Sequence, residues 1–132
     1  MRPKNLALRV ARTALDKGAR SIQILDLRGK ADYADMLVLC SGTSTRHVSG
    51  IADAIEKDLT KAKERPASVE GLASSQWVLI DFIDVVVHVF LDDVRAYYDL
   101  EGLWMDAPRV PVPEPEAPPP RDTGSRPSLK SR

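Results

Sequence analysis

The stretch "MLVLCSG", residues 36–42, narrows the possible folds more than any other part of this chain. It is strand-length and nearly continuous in apolar residues, with no polar alternation until Ser41-Gly42. A strand apolar on both of its sides belongs inside a sheet covered on both faces. A second apolar block, "WVLIDFIDVVVHVFL" (77–91), is broken by Asp81 and Asp84 and predicts a hairpin turning near Ile83-Asp84. In its second strand Val85, Val87, Val89 and Leu91 form one apolar face, whereas Asp84, Val86, His88 and Phe90 form a mixed one. In its first strand Val78, Ile80 and Phe82 oppose Trp77, Leu79 and Asp81. Ile83 is β-branched and poorly suited to positive φ, so the turn is expected to use some other geometry.

Helical spacing accounts for the segments around these strands. Ala7, Leu8, Ala11, Ala14 and Leu15 recur at helix period and Gly18 supplies a stop. "SIQILDL" (21–27) alternates and reads as a strand. In "TSTRHVSGIADAIEKDLTKAKE" (43–64) Val48, Ile51, Ala52, Ile55, Leu59 and Ala62 share a face, with Thr43, Ser44 and Thr45 available as caps. Gly50 inside that helix costs about 1 kcal/mol against Ala, which suggests a close backbone approach there. A short strand near 67–69 and a short helix over "DDVRAYYDLEGL" (92–103) complete the order. The expected fold class is α/β, a single domain with a mixed β-sheet flanked by helices. Eight of the ten prolines lie between Pro108 and Pro127, and "PVPEPEAPPP" favours extended polyproline backbone. Residues 1–106 are therefore expected to fold, and 107–132 to form a disordered Pro-rich tail.

No apolar run reaches the ~20 residues of a membrane helix, and no secretory signal is evident. The single cysteine, Cys40, rules out an internal disulfide and fits a reducing, cytoplasmic setting. Net charge is zero but segregated: residues 1–30 hold eight Lys and Arg against two Asp, and residues 81–106 hold seven carboxylates against Arg95 alone. The second segment should repel a phosphate backbone and attract a basic protein. Six of the seven aromatic residues lie within 77–104, among these carboxylates. Stacking on nucleic acid calls for aromatics among cations, so sequence-specific nucleic-acid binding is not expected.

Catalytic signatures are weak. "SGTSTR" (41–46) joins a strand to a helix but lacks the second glycine and the lysine of a phosphate loop. Cys40 and His47 could form a thiolate–imidazole pair only if Cys40 left its apolar strand. His88 with Asp81 and Asp84 has neither metal-ligand spacing nor a third partner. Neither a metal nor a cofactor is expected.

The blocks "DYADMLVLCSGTSTRHVSGIADAI" (32–55) and "WVLIDFIDVVVHVFLDDVRAYYDLEGLW" (77–104) resemble the ribosomal silencing factor, or Iojap, family, the likeness running from about Asn5 to Ala107. The resemblance implies a nucleotidyltransferase-like fold without the enzyme's activity. Consistent with that, the strands after Ser41-Gly42 carry no Asp-x-Asp or Asp-x-Glu, and Asp81 and Asp84 straddle a turn. It further implies binding to the large ribosomal subunit through the interface-side ribosomal protein numbered fourteen, which blocks small-subunit joining and lowers translation when nutrients are short. On this reading the partner-binding surface comprises Trp77, Asp81, Asp84, His88, Tyr97, Tyr98, Asp99, Glu101 and Trp104, with aromatic anchors inside an acidic rim. Trp77→Ala and Glu101→Lys are then expected to weaken binding without unfolding. Two alternatives stay open: a nucleotidyltransferase-like nucleotide-binding enzyme, and a homodimer that buries the same face against itself.

Overall fold

The structure, a computed structural model, describes residues 1–112. In chain order it comprises α1 (Pro3–Asp16), β1 (Arg20–Asp26), β2 (Met36–Gly42), α2 (Thr45–Lys61), β3 (Ser68–Glu70), β4 (Trp77–Asp81) and β5 (Val85–Leu91). There follow α3 (Asp92–Tyr98), a 3-10 helix (Leu100–Trp104) and β6 (Arg109–Val110). The strands form one mixed sheet in the order β3-β4-β5-β2-β1-β6. Only β2 and β5 run parallel, in register from Met36 opposite Val85 to Gly42 opposite Leu91. Every residue of β2 is buried, as its unbroken apolar run requires.

Two cores lie on opposite faces of the sheet. The larger joins Val78, Ile80, Val85, Val87 and Val89 to Leu6, Val10 and Ala14 of α1 and to Val48, Ile51, Ile55 and Leu59 of α2. Pro3 opens α1, where a missing N–H costs nothing. The Ser44 hydroxyl accepts from the His47 N–H and caps α2. Arg9 grips the Asp58 carboxylate with two hydrogen bonds (2.8 and 3.1 Å) while the Thr13 hydroxyl donates to it at 2.9 Å, fastening α1 to α2. The smaller core gathers Leu25, Leu27, Leu37, Leu39, Val86 and Phe90, with Trp77, Leu79, Val94 and Trp104 packed against it. The inward and outward rows read from the hairpin sequence fall on the expected faces, and Phe82 and Phe90 are both core.

Four expectations are revised. The folded chain does not end at 106: Ala107 is buried and Arg109–Val110 pair with Leu25 and Ile24 as the last strand. Pro108 can precede that edge because its carbonyl, rather than an N–H, bonds to the sheet, accepting from Asp26. Residues 113–132 of the expected tail lie outside the described residues. Second, Gly50 is exposed and a Cβ there would meet nothing within 4 Å, so no backbone approaches it. Third, Ile83 does adopt positive φ (75°), and Asp84 N–H donates to Phe82 O across it at 3.0 Å. That is the strained three-residue γ-turn, stabilised by the Asp81 carboxylate accepting from Ile83 N–H at 2.7 Å. Last, the helix expected over 92–103 breaks at Asp99, whose left-handed φ of 44° separates α3 from the 3-10 helix.

Because Gly50 has open space and helical geometry, Gly50→Ala should stabilise the domain by about 1 kcal/mol. An upward shift of the denaturant midpoint at unchanged slope is the expected result.

Candidate protein-docking face

The second sheet face differs from the first in what covers it. Two long helices close the first. The second is crossed by the short C-terminal segment, α3 and the 3-10 helix, on its way from β5 to the far edge, where β6 pairs with β1. Arg95 of α3 pins this strap: buried, it donates from Nη1 to the Ser21 carbonyl (2.6 Å) and the Ser41 hydroxyl (2.9 Å). Toward β4 the cover thins, leaving Trp77, Leu79 and Asp81 half-exposed.

The predicted partner-binding residues divide into groups. Trp77 and His88 meet: the indole Nε1–H donates to His88 Nδ1 at 2.9 Å, and the indole also lies 4.9 Å, centroid to centroid, from the Phe90 ring. The bond fixes the His88 proton on Nε2. Burial drives the His88 pKa down to about 4, so the ring is neutral at physiological pH. Trp77 is thus part of the packing, with its polar handle turned inward. Asp81 is half-buried on the turn, and Asp84 is exposed beside it. Asp99 is exposed at the helix break. Trp104 is tilted against Tyr33, with ring centroids 6.3 Å apart. The side chains of Tyr97, Tyr98 and Glu101 fall outside the described residues.

Sequence reasoning missed Tyr33, Leu103 and Met105, which are 58%, 69% and 80% exposed around Trp104. The signal was present, since Tyr33 is the one aromatic outside the acidic block. That block is also less bare than its sequence implied. Arg20 pairs with Asp92 at 3.5 Å and Lys30 with Asp106 at 3.3 Å, so basic residues from the N-terminal segment neutralise part of the rim. Asp84, Asp93 and Asp99 remain as exposed carboxylates.

The groups considered for catalysis each take part in the packing or hydrogen bonding of the fold. Cys40 is fully buried and its thiol is pushed up to about 12 by burial. His47 accepts from Thr43 N–H (3.0 Å) and donates to Lys17 O (2.8 Å), tying the start of α2 to the end of α1. A Cβ on Gly42 would stand 2.9 Å from Val48 Cγ2, so this glycine is needed for the strand-to-helix turn itself. The Asp99–Leu100–Glu101 triplet has carboxylates at alternate positions, but it follows α3 rather than lying on a strand. Among the described residues no cluster of three His, Cys, Asp or Glu could hold a metal. No helix among them is long and apolar enough to cross a membrane.

Fold and face together define a small mixed-sheet α/β domain with one helix-covered side and one strapped side, the latter carrying exposed apolar groups among carboxylates. A family model described as "Ribosomal silencing factor during starvation" matches residues 1–131, a longer span than the sequence blocks alone suggest. The Ribosomal silencing factor RsfS of Bacillus subtilis (strain 168) is 40% identical over 108 residues, covering 82% of this chain and 92% of that protein. Mouse "Mitochondrial assembly of ribosomal large subunit protein 1" is 33% identical over 67% of this chain, which spans 40% of that longer protein. A crystal structure of a Chromobacterium violaceum protein superposes with a TM-score of 0.78 at 30% identity, covering 87% of this chain and 91% of that one. This chain belongs to the ribosomal silencing factor family.

The Trp77–His88 pair generates a pH dependence. Unfolded, His88 titrates near 6.5, and folded near 4. Between those values the unfolded chain holds the extra proton, so the stabilisation is complete above about pH 6.5 and declines as pH falls toward 4, by up to roughly 3 kcal/mol. Unfolding free energies at pH 7 and pH 4.5 should differ less in His88→Gln than in the parent chain. Trp77→Phe removes the donor and should cost about 1–3 kcal/mol at neutral pH, because His88 Nδ1 then stays buried without it.

Proposed function

We propose that this protein binds the large ribosomal subunit through the interface-side ribosomal protein numbered fourteen, and so prevents the small subunit from joining. Family membership supports ribosome-associated regulation of translation, and the name of the mouse relative points to the large subunit. The observation that carries the docking mode is the strapped face. Trp104, Tyr33, Leu103 and Met105 offer apolar area for a partner to bury, and Asp84, Asp93 and Asp99 offer charge for a basic ribosomal protein. Half-exposed Trp77 and the buried His88 beside it hold this surface in shape, while Asp81, Tyr97, Tyr98 and Glu101 complete the proposed contact set.

The mechanism is occupancy. A protein seated on the subunit interface excludes the small subunit by volume, and no bond need be made or broken. This accords with the packing and hydrogen-bonding duties of Ser41, Gly42 and Cys40.

Co-sedimentation with purified large subunits, small subunits and assembled ribosomes tests the reading. The chain should pellet with large subunits alone, and adding it to separated subunits should reduce their joining. Trp104→Ala should weaken pelleting by about tenfold or more, since a truncated aromatic anchor costs at least ~2 kcal/mol. Equal pelleting with both subunits, or none, would remove the proposal.

A further inference from the structure

The residue whose backbone conformation fits its side chain least well is also among the most exposed apolar residues. Ile83 holds φ at 75°, a region β-branched residues rarely occupy, and 65% of it faces solvent. Asp81 holds the backbone of the turn, but the Ile83 side chain gives little back, because it is exposed and buries little against its own fold. A glycine would make the same turn without strain. Residues held in such conformations cluster where a partner or ligand acts.

Its surroundings describe the partner. Trp77, Leu79 and Asp81 alternate along β4 on the strapped face, and Ile83 lies two residues beyond them in the turn at the tip of the hairpin. The neighbouring edge strand β3 has three residues and sets Ser68 opposite Asp81 and Glu70 opposite Leu79. No Lys or Arg occurs anywhere from Pro66 to Val94, a span that carries Glu70, Asp81, Asp84, Asp92 and Asp93. This edge of the sheet therefore offers an apolar knob between carboxylates, with no cation of its own sequence span to bind phosphate.

We infer that Ile83 is an affinity-determining contact: its side chain enters an apolar socket flanked by Lys or Arg on a basic protein. That protein is the large-subunit component proposed as the docking partner, so the inference rests on that reading. The turn strain holds the side chain clear of the domain, and Asp81, by accepting from Ile83 N–H, keeps the knob rigid before contact.

The test uses two full-length variants and two readouts. Ile83→Gly relieves the strain and removes the side chain. Ile83→Asn tolerates the left-handed backbone and replaces the apolar group with a polar one. Ile83→Gly should raise Tm by roughly 4–8 °C, while both variants weaken large-subunit binding by about tenfold or more. Rising stability with falling affinity is an outcome that a purely structural role cannot give. Undiminished binding by either variant would overturn the inference, as would a fall in Tm for Ile83→Gly. If the parent chain itself fails to bind large subunits, the docking proposal fails first, and the two results are told apart by that control.

Discussion

The parallel pairing of β2 with β5 is the constraint on which the rest of the molecule depends. Both strands are buried on both faces, so each face of the sheet needs a cover. Residues between the two strands supply part of the first cover: α2 leaves β2 through Gly42, packs Val48, Ile51, Ile55 and Leu59 on the sheet, and returns the chain to β3. α1 completes that layer. The second face has no long helix available and is closed by the chain that leaves β5. That segment is short, bent at Asp99 and anchored by the buried Arg95. Its incomplete coverage leaves aromatic and aliphatic groups at the surface.

This asymmetry explains why charge and aromatic content coincide between 77 and 104. The segment must supply core to the sheet below and a wettable surface above, within a single layer of chain. Phe90 and the Trp77–His88 pair serve the first need, while Asp84, Asp93 and Asp99 serve the second. The pairing of Arg20 with Asp92 and of Lys30 with Asp106 shows that the charge imbalance of the sequence partly cancels in space. Exposed, unpaired negative charge among the described residues of this segment is thus concentrated at fewer positions than the sequence alone implies.

Most of the fold was legible because its signals are local. The period of the apolar residues placed both long helices and the hairpin faces, and the unbroken run at 36–42 identified the central strand. The features that escaped required distant information. β6 consists of two residues inside a proline-rich context, and only β1 reveals it as a strand. Ile83 contradicted its own turn preference because Asp81 and the flanking strands hold the backbone there. The role of Trp77 depended on a histidine eleven positions away, whose nitrogen faces the indole only once the hairpin closes. Tyr33 joined the surface through Trp104, far along the chain.

The same sheet order has a consequence for biosynthesis. Translation delivers β2 early, yet Met36 waits for Val85, 49 positions later, before its central pairing can form. The strap and β6 come later still, so the second face of the sheet is bare until nearly the whole described chain has been made. During that interval a largely apolar strand has only α1, β1 and then α2 to shield it, and non-local pairing of this kind is slow to form. Vectorial synthesis therefore favours early docking of the two long helices, and the Arg9–Asp58–Thr13 clasp between α1 and α2 needs nothing downstream of Asp58 to close.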